Sequence, residues 1–137
     1  MKIEQTLNIP PTYFYRKVID SVIYDIRSQT KQDINEDQLE GFSYTKQFTK
    51  TTAARLTITK LIPNESYHYE TASSKSTFKV SYDMKATADN KTDVVYEEKV
   101  ISNGWMQQMN DLLVGWIMGR LRRRNFKKML TQIEESY

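Results

Sequence analysis

The order of its segments constrains this chain more than any motif does: a short strand and a helix lead, a run of strands follows, and one long helix closes. From Trp105 to Ser136 the spacing predicts about nine helical turns. Trp105, Met109, Leu112, Trp116, Gly119, Phe126, Leu130 and Ile133 gather on one side of that helix. A single helix of that length cannot bury such a stripe alone, so it must lie across the sheet that the strands make. A sheet gripping a helix in this way leaves room for a cavity between them. No residue pattern names a reaction or a ligand.

With 137 residues, 39% of them apolar, the chain is the size of one domain with one core, and a single domain over residues 1–137 is expected. The absence of cysteine excludes disulfides, thiolate metal sites and cysteine nucleophiles, and fits a reducing cytoplasm. The opening residues lack the apolar core of a signal peptide, so export by that route is not expected. The longest apolar run, Leu112 to Gly119, falls far short of the ~20 residues of a membrane span. A cytoplasmic protein without a membrane span is the expectation. Net charge is +3, from 20 basic and 17 acidic side chains, so attraction to nucleic acid or anionic lipid would require local clustering.

In Lys2 to Ile9 the apolar Ile3, Leu7 and Ile9 share one parity, the period of a half-buried strand, and Pro10 and Pro11 end it. Thr12 is the expected N-cap of a helix from Tyr13 to about Ser28, burying Phe14, Val18, Val22 and Ile26 with Ile19 and Ile23 beside them. Arg16, Lys17, Asp20 and Asp25 are expected to face water. Gln29 to Gly41 reads as a loop or one short helix ending at Gly41. Strands are expected at Phe42 to Thr49, Ala53 to Ile62, Ser66 to Ala72, Thr77 to Ala88 and Asp93 to Ser102, joined by short links that favour an antiparallel meander. Phe78, Val80, Tyr82, Met84, Ala86 and Ala88 alternate with Lys79, Ser81, Asp83 and Lys85, so one sheet face is wet and the other covered.

The opening IEQTLNIPPTYFYRKVIDS, with a proline turn between strand and helix and a mid-helical Asp20, and the closing WMQQMNDLLVGWIMGRLRRRNFKKML helix resemble the START-like, or SRPBCC, superfamily of birch-pollen-allergen-like helix-grip proteins. The resemblance spans the whole chain. More narrowly, the chain looks like a small uncharacterised family of Gram-positive bacterial proteins within that superfamily. The resemblance implies an α+β helix-grip fold, in which a curved antiparallel sheet of about six strands wraps around a long C-terminal helix. It also implies a cavity that in many members holds an apolar molecule; some members are cyclases, some carriers, and some have nearly closed cavities.

His68 is the single histidine, and its parity sends it to the face opposite Tyr67 and Tyr69. A three-ligand zinc site would have to be completed by carboxylates, and no serine has a nucleophile-elbow context. A surface or structurally bonded histidine is therefore expected, and no metal, cofactor or catalytic set is assigned. Three charges fall on apolar strand faces: Lys46 between Tyr44 and Phe48, Lys60 between Ile58 and Ile62, and Glu98 between Tyr96 and Val100. Inward charges there would make a polar, hydrated cavity wall. Lysine at a strand end reaches water along its stem, however, and a bulge reverses such an assignment.

Arg123 projects within the stripe of Trp105, Met109, Leu112 and Trp116, where its fork suits a ligand carboxylate or phosphate, or a pairing with Glu98; a stem packed on the core with its head in water is the plainer use. Six cations between residues 120 and 128 spread around the helix without an aromatic platform, so a solvated helix surface is expected and no nucleic-acid partner is favoured. Tyr44, Tyr67, Tyr69, Tyr82 and Tyr96 all fall in strands, and a pocket lined that way suits an amphipathic or ring-bearing ligand.

The cavity candidates are Arg123, Glu98, Tyr96, Tyr82, Lys46, Lys60, Trp116 and Met109. The expected function is a noncatalytic module binding a small apolar or amphipathic ligand between sheet and closing helix, with Arg123 and Tyr96 as polar contacts. A cyclase- or hydrolase-type enzyme in the same cavity would use Glu98 with a neighbouring tyrosine as acid and base, which requires a carboxylate pKa raised by burial. A closed-cavity interaction or regulatory protein would work through its surface. The sequence sets no oligomeric state.

Overall fold

The structure is a computed structural model and describes residues 1–48, 50–51, 53–73, 76–87, 90–102 and 123–137. Strand β1 (Lys2–Leu7) leads into helix α1 (Pro11–Thr30), and a 3-10 turn at Glu36–Gln38 precedes β2 (Ser43–Gln47), β3 (Ala53–Ile62), β4 (Ser66–Ala72), β5 (Ser76–Thr87) and β6 (Lys91–Ser102). The closing helix, α2, is described over residues 123–135, and its expected first half lies outside the described residues. The strands form one antiparallel sheet in the order β1-β6-β5-β4-β3-β2. The result is the curved six-stranded sheet and C-terminal helix of an α+β helix-grip fold.

Helix α1 begins at Pro11 rather than after a cap at Thr12: Pro10 is the N-cap residue, with no side-chain cap. The fixed φ of proline suits the first helical position, where its missing N–H would have no intrahelical partner anyway. The helix ends on Lys31, whose φ of 63° is left-handed and whose N–H donates to the Arg27 carbonyl at 2.9 Å. Phe14, Val18, Ile19, Val22 and Ile26 are buried as their spacing predicts. They pack with Leu39, Tyr44, Leu56, Ile58, Met84 and Leu130 into one core cluster between helices and sheet. The segment 29–41 supplies Leu39, which is fully buried, and Gly41, whose φ of 82° is strained for any other residue.

The inner sheet face alternates as the sequence indicates through Val80, Tyr82 and Met84 of β5 and Val94 and Tyr96 of β6, but β3 does not keep its parity. Ile58 pairs with Tyr69 while Lys60 pairs with His68, so Thr59 is an extra residue, a β-bulge. The bulge hands the inward position from Ile58 to Leu61, which pairs with Tyr67. Lys60 is therefore exposed beside His68 on the outer face, correcting its expected place on the apolar side, and Ile62 is exposed with it.

On α2, Leu130 is completely buried, with Phe126, Met129 and Ile133 packed against the core around it. Truncating a fully enclosed leucine removes its transfer free energy and leaves a cavity. Leu130→Ala should lower the urea-unfolding free energy by about 2–5 kcal/mol. Lys127→Ala, on the exposed face of the same turn, should change it by less than about 0.5 kcal/mol.

Candidate functional site

The registers of β4, β5 and β6 set Tyr67 opposite Tyr82 and Tyr82 opposite Tyr96. Directly opposed side chains on one face touch, and here the contact becomes a wall of rings. Centroids lie 5.4 Å apart for Tyr69 and Tyr67, 5.7 Å for Tyr67 and Tyr82, and 4.9 Å for Tyr82 and Tyr96, with Phe126 of α2 stacked on Tyr96 at 3.9 Å. Such edge-to-face and offset contacts add to area burial because ring edges are positive and faces negative.

Against one end of this wall, between α1, the sheet and α2, lies a cavity of about 370 Å³. Val18, Ser21, Val22 and Asp25 of α1 line one side, at spacings of three and four residues that put them on one helical stripe. Tyr44, Lys46, Leu56, Tyr67, Tyr69 and Tyr82 supply the sheet side, Met129 and Ile133 of α2 close it, and Lys17 stands at the rim. The volume lies near the low end of the ~300–1,000 Å³ usual for small-molecule sites.

Its polar border is built on Asp25. The Tyr44 hydroxyl donates to Asp25 Oδ2 at 2.5 Å, and Lys46 Nζ lies 3.2 Å from the same oxygen. Asp25, expected in water, is half-buried instead: it sits three residues from Val22 and seven from Val18, at the edge of the apolar stripe. Burial first, and the bond to Asp25 second, push the Tyr44 phenol far above its ordinary value. Burial likewise raises Tyr67 and Tyr82.

Of the eight expected cavity residues, Lys46 and Tyr82 line this cavity. Tyr96 and Glu98 meet each other, the Tyr96 hydroxyl donating to the carboxylate; Tyr96 packs with Ile3 and Val80, and neither Tyr96 nor Glu98 is among the described lining residues. Arg123 is exposed, donates to the Lys2 carbonyl at 3.1 Å at the sheet edge, and is not among the described lining residues. Lys60 is on the outer face; Trp116 and Met109 lie outside the described residues. Asp25 and Lys17 are the charged cavity residues that sequence reasoning missed. The available signal was the position of Asp25 at the border of the α1 stripe rather than opposite it.

On the outer face, His68 points away from Tyr67 and Tyr69 as its parity requires. Its Nε2 lies 2.9 Å from Asp83 Oδ1, which also accepts from the Ser66 hydroxyl at 2.7 Å. Burial raises the Asp83 carboxyl, yet the Ser66 and His68 bonds outweigh it and hold the group below its ordinary 3.8. The carboxylate sits between serine and histidine, so the histidine does not bond the hydroxyl as a general base would. Among the described residues no group of three histidine or acidic side chains is placed to hold a metal, and no helix is long and apolar enough to cross a membrane.

The family described as "Domain of unknown function (DUF3284)" matches residues 1–119. No curated protein matches the chain. Among solved structures, protein MLL2253 from Mesorhizobium loti has a TM-score of 0.62 at 14% identity, covering 99% of this chain and 96% of that one. Ara h 8.0201 has a TM-score of 0.58 at 10% identity, covering 99% and 95%. The protein of unknown function SA2116 from Staphylococcus aureus has 0.57 at 14%, covering 99% and 93%. At these identities the likeness is one of fold.

The tyrosines give a pH signature. Tyr15 is pushed up to about 12, chiefly by burial and then by Glu36, Tyr44, Tyr82 and Tyr96 are raised further, and burial holds Tyr67 well above its ordinary value. Because these phenols hold their protons more tightly folded than unfolded, the stability they contribute is whole below pH 10 and is lost as pH climbs towards the folded values. Phenolate absorbance at rising pH should therefore show these five ionising together with loss of near-ultraviolet circular dichroism. Smooth ionisation of all tyrosines around pH 10 in a still-folded protein would contradict the enclosed wall.

Proposed function

The chain belongs to the DUF3284 family, and we propose that it is a noncatalytic binding module, taking a small apolar or amphipathic molecule into the cavity between α1, the sheet and α2. The observation that carries this reading is the cavity itself: about 370 Å³ bounded by aliphatic and aromatic side chains from three separate elements, with one ion pair at its border. Such a concave, mostly apolar site with a few convergent polar groups is what small-molecule recognition uses. We further propose that the family is a Gram-positive bacterial branch of the START-like superfamily and that the protein works in the cytoplasm. Tyr96 and Glu98, the pair an acid–base mechanism would use, bond to each other through the Tyr96 hydroxyl.

Native mass spectrometry of the protein purified from its own host, set beside the denatured mass, tests the proposal. An extra mass of a few hundred daltons, lost on denaturation, is the expected result. Ser21 is exposed yet lines the cavity, so Ser21→Trp should plug it and reduce the loaded fraction while leaving the fold intact. A clean apo mass in the wild type, or loading untouched by Ser21→Trp, counts against this cavity as the site.

A further inference from the structure

The polar groups of the cavity are unbalanced in a way that specifies its occupant. Tyr67 is only 4% exposed, and neither its hydroxyl nor that of Tyr82 makes a hydrogen bond to another described residue. Tyr15 carries the one hydroxyl among the described side chains that is both sealed off and unpartnered, so the Tyr67 and Tyr82 hydroxyls open onto the cavity they line. A hydroxyl on a cavity wall that has no protein partner is a donor that a ligand acceptor can use. Burial keeps both phenols protonated, so each offers a donor.

The charges lean the same way. Three charged residues occur among the described lining residues: Lys17, Lys46 and Asp25. One carboxylate oxygen of Asp25, Oδ2, is already engaged by the Tyr44 hydroxyl and by Lys46. The Lys46 ammonium spends part of its donor set there and retains the rest. Lys17 makes no ion pair among the described residues, its ammonium resting 5.4 Å from the Tyr13 ring centroid. The described lining thus carries two lysines and one carboxylate, an excess of one positive charge.

We infer that the occupant is a small monocarboxylate with a ring-bearing or otherwise apolar body, its carboxylate received at the Lys17 and Lys46 border and its body, with any carbonyl oxygen, laid against Tyr67 and Tyr82. The inference rests on the binding reading above and narrows it. A single excess charge matches a carboxylate better than a phosphate monoester, which carries ≈ −1.5 to −2 at neutral pH. A cationic amphiphile would meet two lysines on the described lining and one carboxylate that already pairs with one of them.

The test is calorimetric titration of the whole protein with three matched probes: 2-naphthoate, 2-naphthamide and 2-naphthylmethylammonium. The acid should bind about tenfold or more tighter than the amide, a gap of roughly 1.4 kcal/mol, and the amine should bind weakest. Lys17→Met, at an exposed position, should cost the acid several-fold and leave the amide unchanged. Tyr67→Phe should weaken acid and amide alike, since both present a carbonyl oxygen. If the amide or the amine binds as tightly as the acid, or if the acid is indifferent to both Lys17→Met and Lys46→Gln, the carboxylate assignment fails while the cavity reading stands. If none of the three binds at millimolar concentration, the cavity reading fails as well.

Discussion

One face of a single antiparallel sheet has to be shared by two helices, and nearly everything else in this protein answers to that. Each helix carries an apolar stripe that it cannot bury alone, and both find it on the inner side of β1 to β6, in a cluster running from Ile9 and Phe14 through Ile58 and Met84 to Leu130. The opposite face of the sheet is left to water and carries ion pairs and hydrogen bonds such as those joining Ser66, His68 and Asp83. Where α1, the sheet and α2 all contribute and none fills the space, a cavity remains.

Tyrosine resolves a difficulty created by that arrangement. A face that must both support a packed core and border an open cavity needs side chains with large apolar bodies and polar tips, and the inner face of β4 to β6 is furnished with them. Tyr96 spends its hydroxyl on Glu98 and Tyr44 on Asp25, while Tyr67 and Tyr82 line the cavity. The same residue type therefore serves as brace at two positions and as contact surface at two others, according to what lies within reach of its oxygen.

Much of the fold was legible because it rests on local periodicity. The α1 stripe, the span of β3 and β4, the alternation of β5 and the outward turn of His68 follow from spacings of 3.6 and 2 that the chain obeys. The site was less legible because it depends on departures from periodicity and on meetings between elements. Lys60 was misplaced by a single extra residue at Thr59, which reverses every later side chain of β3 and which no residue type there announces. Arg123 lies on the predicted helix, but its partner is the backbone carbonyl of Lys2, which carries no side-chain signature. Asp25 looked solvent-facing on α1 taken alone, and becomes a cavity residue because Tyr44 and Lys46 come to it from β2.

The pairing of β1 with β6 has a consequence for how the molecule comes into being. Lys2 finds its partner at Glu97 and Leu7 at Thr92, so β1 waits through the synthesis of β2 to β5 for the strand it pairs with. Until then β1 is a lone edge, and the hairpins of β2 to β5 form without it. Even a completed sheet lacks the cavity, because Met129 and Ile133 are still to come. The cavity lining is therefore complete only once the segment carrying Met129 and Ile133 has joined α1 and the sheet.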